Sequence, residues 1–107
     1  TIWSFLNADF LLSRKEENKM SKIYSISYDL NTPGQKYEDL YTAIKSYPYC
    51  KILKSHWLVY TSSDANQIYN KLKPCIDTND RIFISEVTTD QNGWLSNIAC
   101  DWINKRL

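Results

Sequence analysis

The sequence predicts an α+β domain in the order β-α-β-β-α-β, with two helices on one face of a four-stranded antiparallel sheet and a short helix closing the chain. Three observations carry this expectation. Residues 22–30 alternate strictly between two faces, two stripes of apolar residues recur at helical spacing, and β-rich runs occupy residues 50–61 and 81–88.

Each element has its own local signal. In the first strand Tyr24, Ile26, Tyr28 and Leu30 share one face, and Ile23, Ser25, Ser27 and Asp29 the other. It stops at Asn31-Thr32-Pro33-Gly34, where Asn or Thr suits a helix N-cap and Pro suits the first turn. Tyr37, Leu40, Tyr41 and Ile44 then mark the first helix, which ends near Tyr47-Pro48. Residues 50–61 are long for one strand, and the polar Lys54-Ser55-His56 in their middle is the expected turn between two strands. Ser62-Ser63-Asp64 supplies the next cap, followed by Ala65, Ile68, Tyr69 and Leu72 in a second helix that ends near Pro74. Asp77-Thr78-Asn79-Asp80 is a turn cluster ahead of the last strand at 81–88. Leu95, Ile98, Ala99, Trp102 and Ile103 fall on one face of a closing helix. Together these elements make a ferredoxin-like arrangement.

Two crossover helices cover only one side of such a sheet, so the other side should be polar or covered by something else. Here both sides are apolar, with Trp57 and Val59 opposite Leu58 and Tyr60, and Ile82 and Ile84 opposite Phe83 and Val87. The closing helix covers part of the second side and a second copy of the chain the rest, so a homodimer is expected.

Composition narrows the class. A chain of 107 residues suffices for one modest core. Thirteen Lys and Arg against 12 Asp and Glu leave a net charge of +1, so a polyanionic partner must be met by a local patch rather than by overall charge. Cys50, Cys75 and Cys100 are odd in number and widely spaced, which fits neither a disulfide framework nor a zinc pair and implies a reducing cytoplasm. No apolar run is long enough to span a membrane. The regular pattern begins at Met20, the single methionine. Residues 1–19 therefore read as a leader, or as an N-terminal arm with Ile2, Trp3, Phe5, Leu6, Phe10, Leu11 and Leu12 on a short helix, and residues 20–107 as the domain.

Tyr28-Asp29-Leu30 at the end of the first strand, Ser55 at the bend and the closing strand from Asp80 to Val87 carry a family likeness. Residues 26–35, 55–59 and 79–88 resemble the Cas-two-like family of CRISPR-associated spacer-acquisition proteins, and most of all its stand-alone, SinR-labelled bacterial and phage relatives. The likeness runs from about residue 21 to 107. It implies a ferredoxin-like dimer and, for some members, a divalent-metal-dependent nuclease whose strand-one aspartate lies at the dimer axis. Asp29 is the residue that transfers. The basic residues such nucleases use near the first helix are poorly matched, because Gln35, Lys36 and Glu38 stand there.

Asp29 is accordingly the candidate catalytic residue. With its symmetry mate it would share one Mg²⁺, a hard cation that prefers oxygen ligands and activates water toward a phosphodiester. Asp80, near the same strand end, is the secondary metal candidate. The structural alternative for Asp29 is a carboxylate that shapes the following turn. Ser27, Tyr28, Asn31, Ser55 and Trp57 are the candidate ligand-binding residues: the hydroxyls and amide for phosphate or base edges, the rings for stacking. The ordinary alternatives are solvated strand positions for the hydroxyls and amide, and packing in the core or at a dimer contact for the rings. Lys51, Lys54 and Arg81 add local positive charge or protect a solvated strand edge. Three functions remain open: a homodimeric Cas-two-like nucleic-acid-binding protein with Mg²⁺-dependent endonuclease activity, a catalytically inactive dimer that binds a nucleotide or oligonucleotide in phage–host conflict, and a VapD-like toxin ribonuclease.

Overall fold

The computed structural model describes residues 20–107 apart from Pro33 and Lys36. The expected leader or arm, residues 1–19, lies outside the described residues. The elements are β1 (Lys22–Asp29), α1 (Glu38–Lys45), β2 (Tyr49–Leu53), β3 (His56–Thr61), α2 (Ala65–Leu72) followed by a 3₁₀ turn (Lys73–Cys75), β4 (Arg81–Val87) and α3 (Asn97–Asn104). The sheet runs β2-β3-β1-β4 with every neighbouring pair antiparallel. This is the ferredoxin-like order that the alternating strand and helix patterns require.

β1 is central because it alternates cleanly and both neighbours match it. Tyr24 stands between Val59 and Glu86, Ile26 between Trp57 and Ile84, and Ser27 between His56 and Phe83. Residues paired this way share a face, so the even-numbered β1 side chains meet the crossover helices. There Tyr24, Ile26, Trp57 and Val59 pack against Leu40 and Ile44 of α1 and Ile68 and Leu72 of α2. Each fully buried Ile or Leu in this layer contributes about 1.5–3 kcal/mol relative to exposure.

The second face has its own smaller core. Ile23, Leu58 and Ile103 are buried there, with Ile52, Tyr60, Val87, Leu95 and Trp102 packed around them. α3 thus covers the sheet end where β1 begins and β3 finishes. It does so with Ala99 and Ile103, whereas Ile98, expected on the same stripe, points to solvent.

The helix boundaries follow local chemistry at α2 and long-range chemistry at α1. α2 starts where the sequence signals it, with Asp64 accepting from Gln67 N–H and the Gln67 side chain accepting from Asp64 N–H. α1 does not start at Asn31-Thr32 as expected. It begins at Glu38, N-capped by Tyr37 in the left-handed region at φ 56° and without a side-chain cap bond; the expectation for Pro33 falls on a residue outside the described ones. The reason is Asp80. This buried carboxylate accepts from Asn31 N–H at 2.8 Å, the Thr32 hydroxyl at 3.3 Å and the Tyr37 hydroxyl at 2.6 Å, and so ties the chain into a loop that delays the helix.

The expected turn at Lys54-Ser55 separates β2 from β3, with a register shift between Lys51 and Leu53. Tyr28 N–H donates to Ser55 C=O at 3.1 Å, so the hairpin turn also closes onto the end of β1. All three cysteines are free and half-buried. Among the described residues, no helix is long and apolar enough to cross a membrane.

Candidate functional site

The sheet end left uncovered by α3 is the candidate site. Strict alternation in β1 places Ser25, Ser27 and Asp29 side by side on the second face, and pairing adds His56 from β3 and Arg81, Phe83 and Ser85 from β4. Phe83 is 70% exposed although it stands in the middle of a strand. A cleft of about 290 Å³ runs past Ser27, Asp29, Arg81 and Phe83.

A second cleft, about 340 Å³, adjoins it between the sheet and the β4–α3 connection. Leu53, Leu58, Trp94 and Leu95 wall it, and Ser25 and His56 form its floor. Ser25 Oγ and His56 Nε2 share a hydrogen bond. Burial holds the His56 pKa below its ordinary value and thereby favours the neutral ring. A hydroxyl paired with a neutral imidazole supplies two members of a nucleophile–base relay, but no described residue bonds the other ring nitrogen to orient it. Trp94 is fully exposed at the mouth and Leu53 is also exposed.

The sequence-derived candidates divide between the two faces. Ser27 and Asp29 are on the uncovered face, and Ser55 is exposed in the β2–β3 turn. Trp57 is not available for stacking on a base. It is 3% exposed on the helical face, its ring stacked on Tyr41 at 6.2 Å, and its Nε1–H donates to the Tyr28 hydroxyl at 2.9 Å. Tyr28 is half-buried beside it, and burial raises its pKa. Asn31 serves the turn, its amide donating to the carbonyls of Asp29 at 3.4 Å and Asn79 at 3.2 Å. A single pocket lined by Ser27, Tyr28, Asn31 and Trp57 is therefore not formed within one protomer, because odd and even positions of a strand face opposite ways.

Asp80 is likewise engaged elsewhere. Besides the three bonds to Oδ1, its Oδ2 accepts from Asp77 N–H at 2.8 Å. Burial works against the charged form, but the bonds from Tyr37, Asp77, Asn31 and Thr32 outweigh it and hold the carboxyl below the usual range. Its oxygens are spent on the protein, which corrects the expectation that Asp80 joins Asp29 as a metal ligand. Among the described residues no cluster of three or more His, Cys, Asp or Glu is placed to hold an ion. One protomer offers Asp29 alone, which does not fit a Mg²⁺ site. Arg81, paired with Asp29 in the ladder, turns its guanidinium to the carbonyls of Thr78 at 3.1 Å and Asp80 at 3.0 Å.

Sequence reasoning set Phe83 opposite Ile82 and Ile84, but missed His56 and Trp94 as parts of this face. The alternation that assigned Phe83 to the open side was available, whereas the approach of His56 to Ser25 across 31 positions was not.

No protein-family model matches the chain, and no curated protein matches it. Among solved structures, the chain is similar to a hypothetical protein of Thermus thermophilus, TT1823, with a TM-score of 0.53 and 18% identity, covering 71% of this chain and 95% of that one. At this identity the likeness reaches the fold alone: a ferredoxin-like sheet carrying its crossover helices on one side.

Proposed function

We propose that the protein is a homodimeric, Cas-two-like nucleic-acid-binding protein that associates through the uncovered face of its sheet and holds a nucleotide or oligonucleotide at the rim of that interface. The observation that carries this reading is the coincidence of Phe83, Leu53 and Trp94, all exposed, on one sheet face, with the polar Ser27 and Asp29 beside them. Exposed aromatic and aliphatic side chains gathered this way favour a partner surface of the same kind, and a two-fold contact supplies it without a second gene product. A hydroxyl and a carboxylate at its edge are suited to sugar and base edges. Light scattering at micromolar concentration, together with binding of RNA, single-stranded DNA and duplex, tests the reading. A dimer that binds at least one of these is the expected result, and a stable monomer, or a chain that binds none of them, overturns it.

A second reading rests on the exposure of Asp29 on the same face. Two Asp29 carboxylates facing each other across the dimer would hold a divalent cation that supplies an activated water. Cleavage that needs Mg²⁺ and disappears in Asp29→Ala is its signature. RNA cleavage without metal would instead favour the toxin-type ribonuclease.

A further inference from the structure

The near-neutral chain hides an uneven charge distribution. Between residues 40 and 76 it carries five lysines, Lys45, Lys51, Lys54, Lys71 and Lys73, against one carboxylate, Asp64. The fold brings two of these lysines, Lys45 and Lys51, to Trp57 on the helical side, where the end of α1 meets strand β2, and a third, Lys71, to the turn that follows α1. Lys51 pairs with Trp57 in the ladder and sets its ammonium 5.3 Å from the Trp57 ring centre, and Lys45, the last residue of α1, approaches the same ring to 6.0 Å. Lys71 of α2 reaches across to bond the Ser46 hydroxyl and lies 4.5 Å over the Tyr47 ring. Asp64 is at the opposite end of α2, occupied by its cap bond to Gln67.

Among the described residues, none of Lys45, Lys51 and Lys71 has a carboxylate partner; the one ion pair there joins Lys22 to Glu86 at 3.4 Å. Their ammonium groups are instead positioned by aromatic faces. Such contacts restrict long side chains without neutralising them, so less freedom is lost when an anion arrives. Tyr49, 42% exposed and 5.5 Å from Trp57 between centroids, adds a solvent-accessible ring beside the one that Lys45 and Lys51 approach. Cations held in place beside one available ring match a single-stranded backbone whose phosphates are held by charge and one of whose bases stacks without sequence preference. An acidic peptide would use the lysines but not the ring.

We infer that this surface, on the side away from the uncovered sheet face, is the track along which the protein binds a single-stranded nucleic acid, with Lys45, Lys51 and Lys71 on its phosphates and Tyr49 under a base. The inference rests on the nucleic-acid reading above but not on its interface: a strand bound here leaves Ser27, Asp29 and Phe83 clear.

The test uses the full chain and a fluorescein-labelled twelve-nucleotide oligo-uridine, with affinity followed against salt concentration. Neutralising three phosphate contacts makes the slope of log K against log salt shallower by about 2, so the combined variant Lys45→Gln, Lys51→Gln, Lys71→Gln should lose about that much slope. The matching Lys→Arg variant should keep it, which separates charge from any loss of folding, itself checked by urea unfolding. Tyr49→Ala should weaken binding about five- to tenfold with the slope unchanged, because stacking releases no counterions. A triple Gln variant that binds with the original slope overturns the track and leaves the nucleic-acid reading standing. A wild-type chain that binds no oligonucleotide overturns both. Poly-glutamate that competes as well as the oligonucleotide at equal charge overturns the single-strand assignment.

Discussion

The Tyr37 hydroxyl donates to Asp80 Oδ1 at 2.6 Å, joining the start of α1 to the start of β4 across 43 positions of sequence. The same hydroxyl accepts from Thr32 N–H at 3.0 Å. These bonds offset the left-handed backbone of Tyr37, a conformation that costs a residue with a side chain about 1–2 kcal/mol.

Tyr37→Phe removes both bonds while keeping the ring. Urea unfolding at pH 7 should show a lower midpoint than the wild type at an unchanged slope. The loss also depends on pH. The folded Asp80 carboxyl titrates below the unfolded value of about 3.9, so its contribution is complete above that pH and disappears as pH falls through the folded value. Acid unfolding followed by circular dichroism should begin at higher pH in Tyr37→Phe than in the wild type.

His56 will add a second pH dependence. Its folded pKa lies below the unfolded value of about 6.5, so the unfolded chain binds the proton first and stability falls as pH drops below about 6.5. Ring-proton NMR should give a His56 midpoint under that value. In His56→Asn the fall in urea midpoint between pH 7.5 and 5.5 should shrink.

Trp57 and Phe83 should part company when truncated. Trp57→Ala empties a buried site and breaks the bond to Tyr28, at about 3–5 kcal/mol by thermal or urea unfolding. Phe83→Ala removes an exposed ring and should leave protomer stability within about 0.5 kcal/mol. If the proposed two-fold contact forms through this face, sedimentation should show weaker association for Phe83→Ala than for the wild type.

Asp64→Ala breaks one bond of the α2 capping box and should cost about 1 kcal/mol, read as a lower urea midpoint at an unchanged slope. Asp64→Asn keeps an acceptor oxygen and should recover most of it.

Most of the fold was legible because its signals are local. Alternation in residues 22–30 assigned the faces of β1, the Lys54-Ser55 polarity located the hairpin, and Asp64 announced α2. The start of α1 was misread because its cause, Asp80, lies beyond the next three elements. The site was legible in part. Ser27 and Asp29 could be placed on the open face, but Trp57 was grouped with them although its ladder partners Lys51 and Ile26 belong to the helical side.

What the residues determined unaided was the order of strands and helices, and which side chains of each element share a face, since periods of 2 and 3.6 are properties of short segments. The tertiary structure decided which segments meet: Ser25 with His56, Asp80 with the loop before α1, and lysines from α1, β2 and α2 with the rings of Trp57 and Tyr47. Contacts between residues tens of positions apart depend on how layers pack against each other, and no local spacing encodes that.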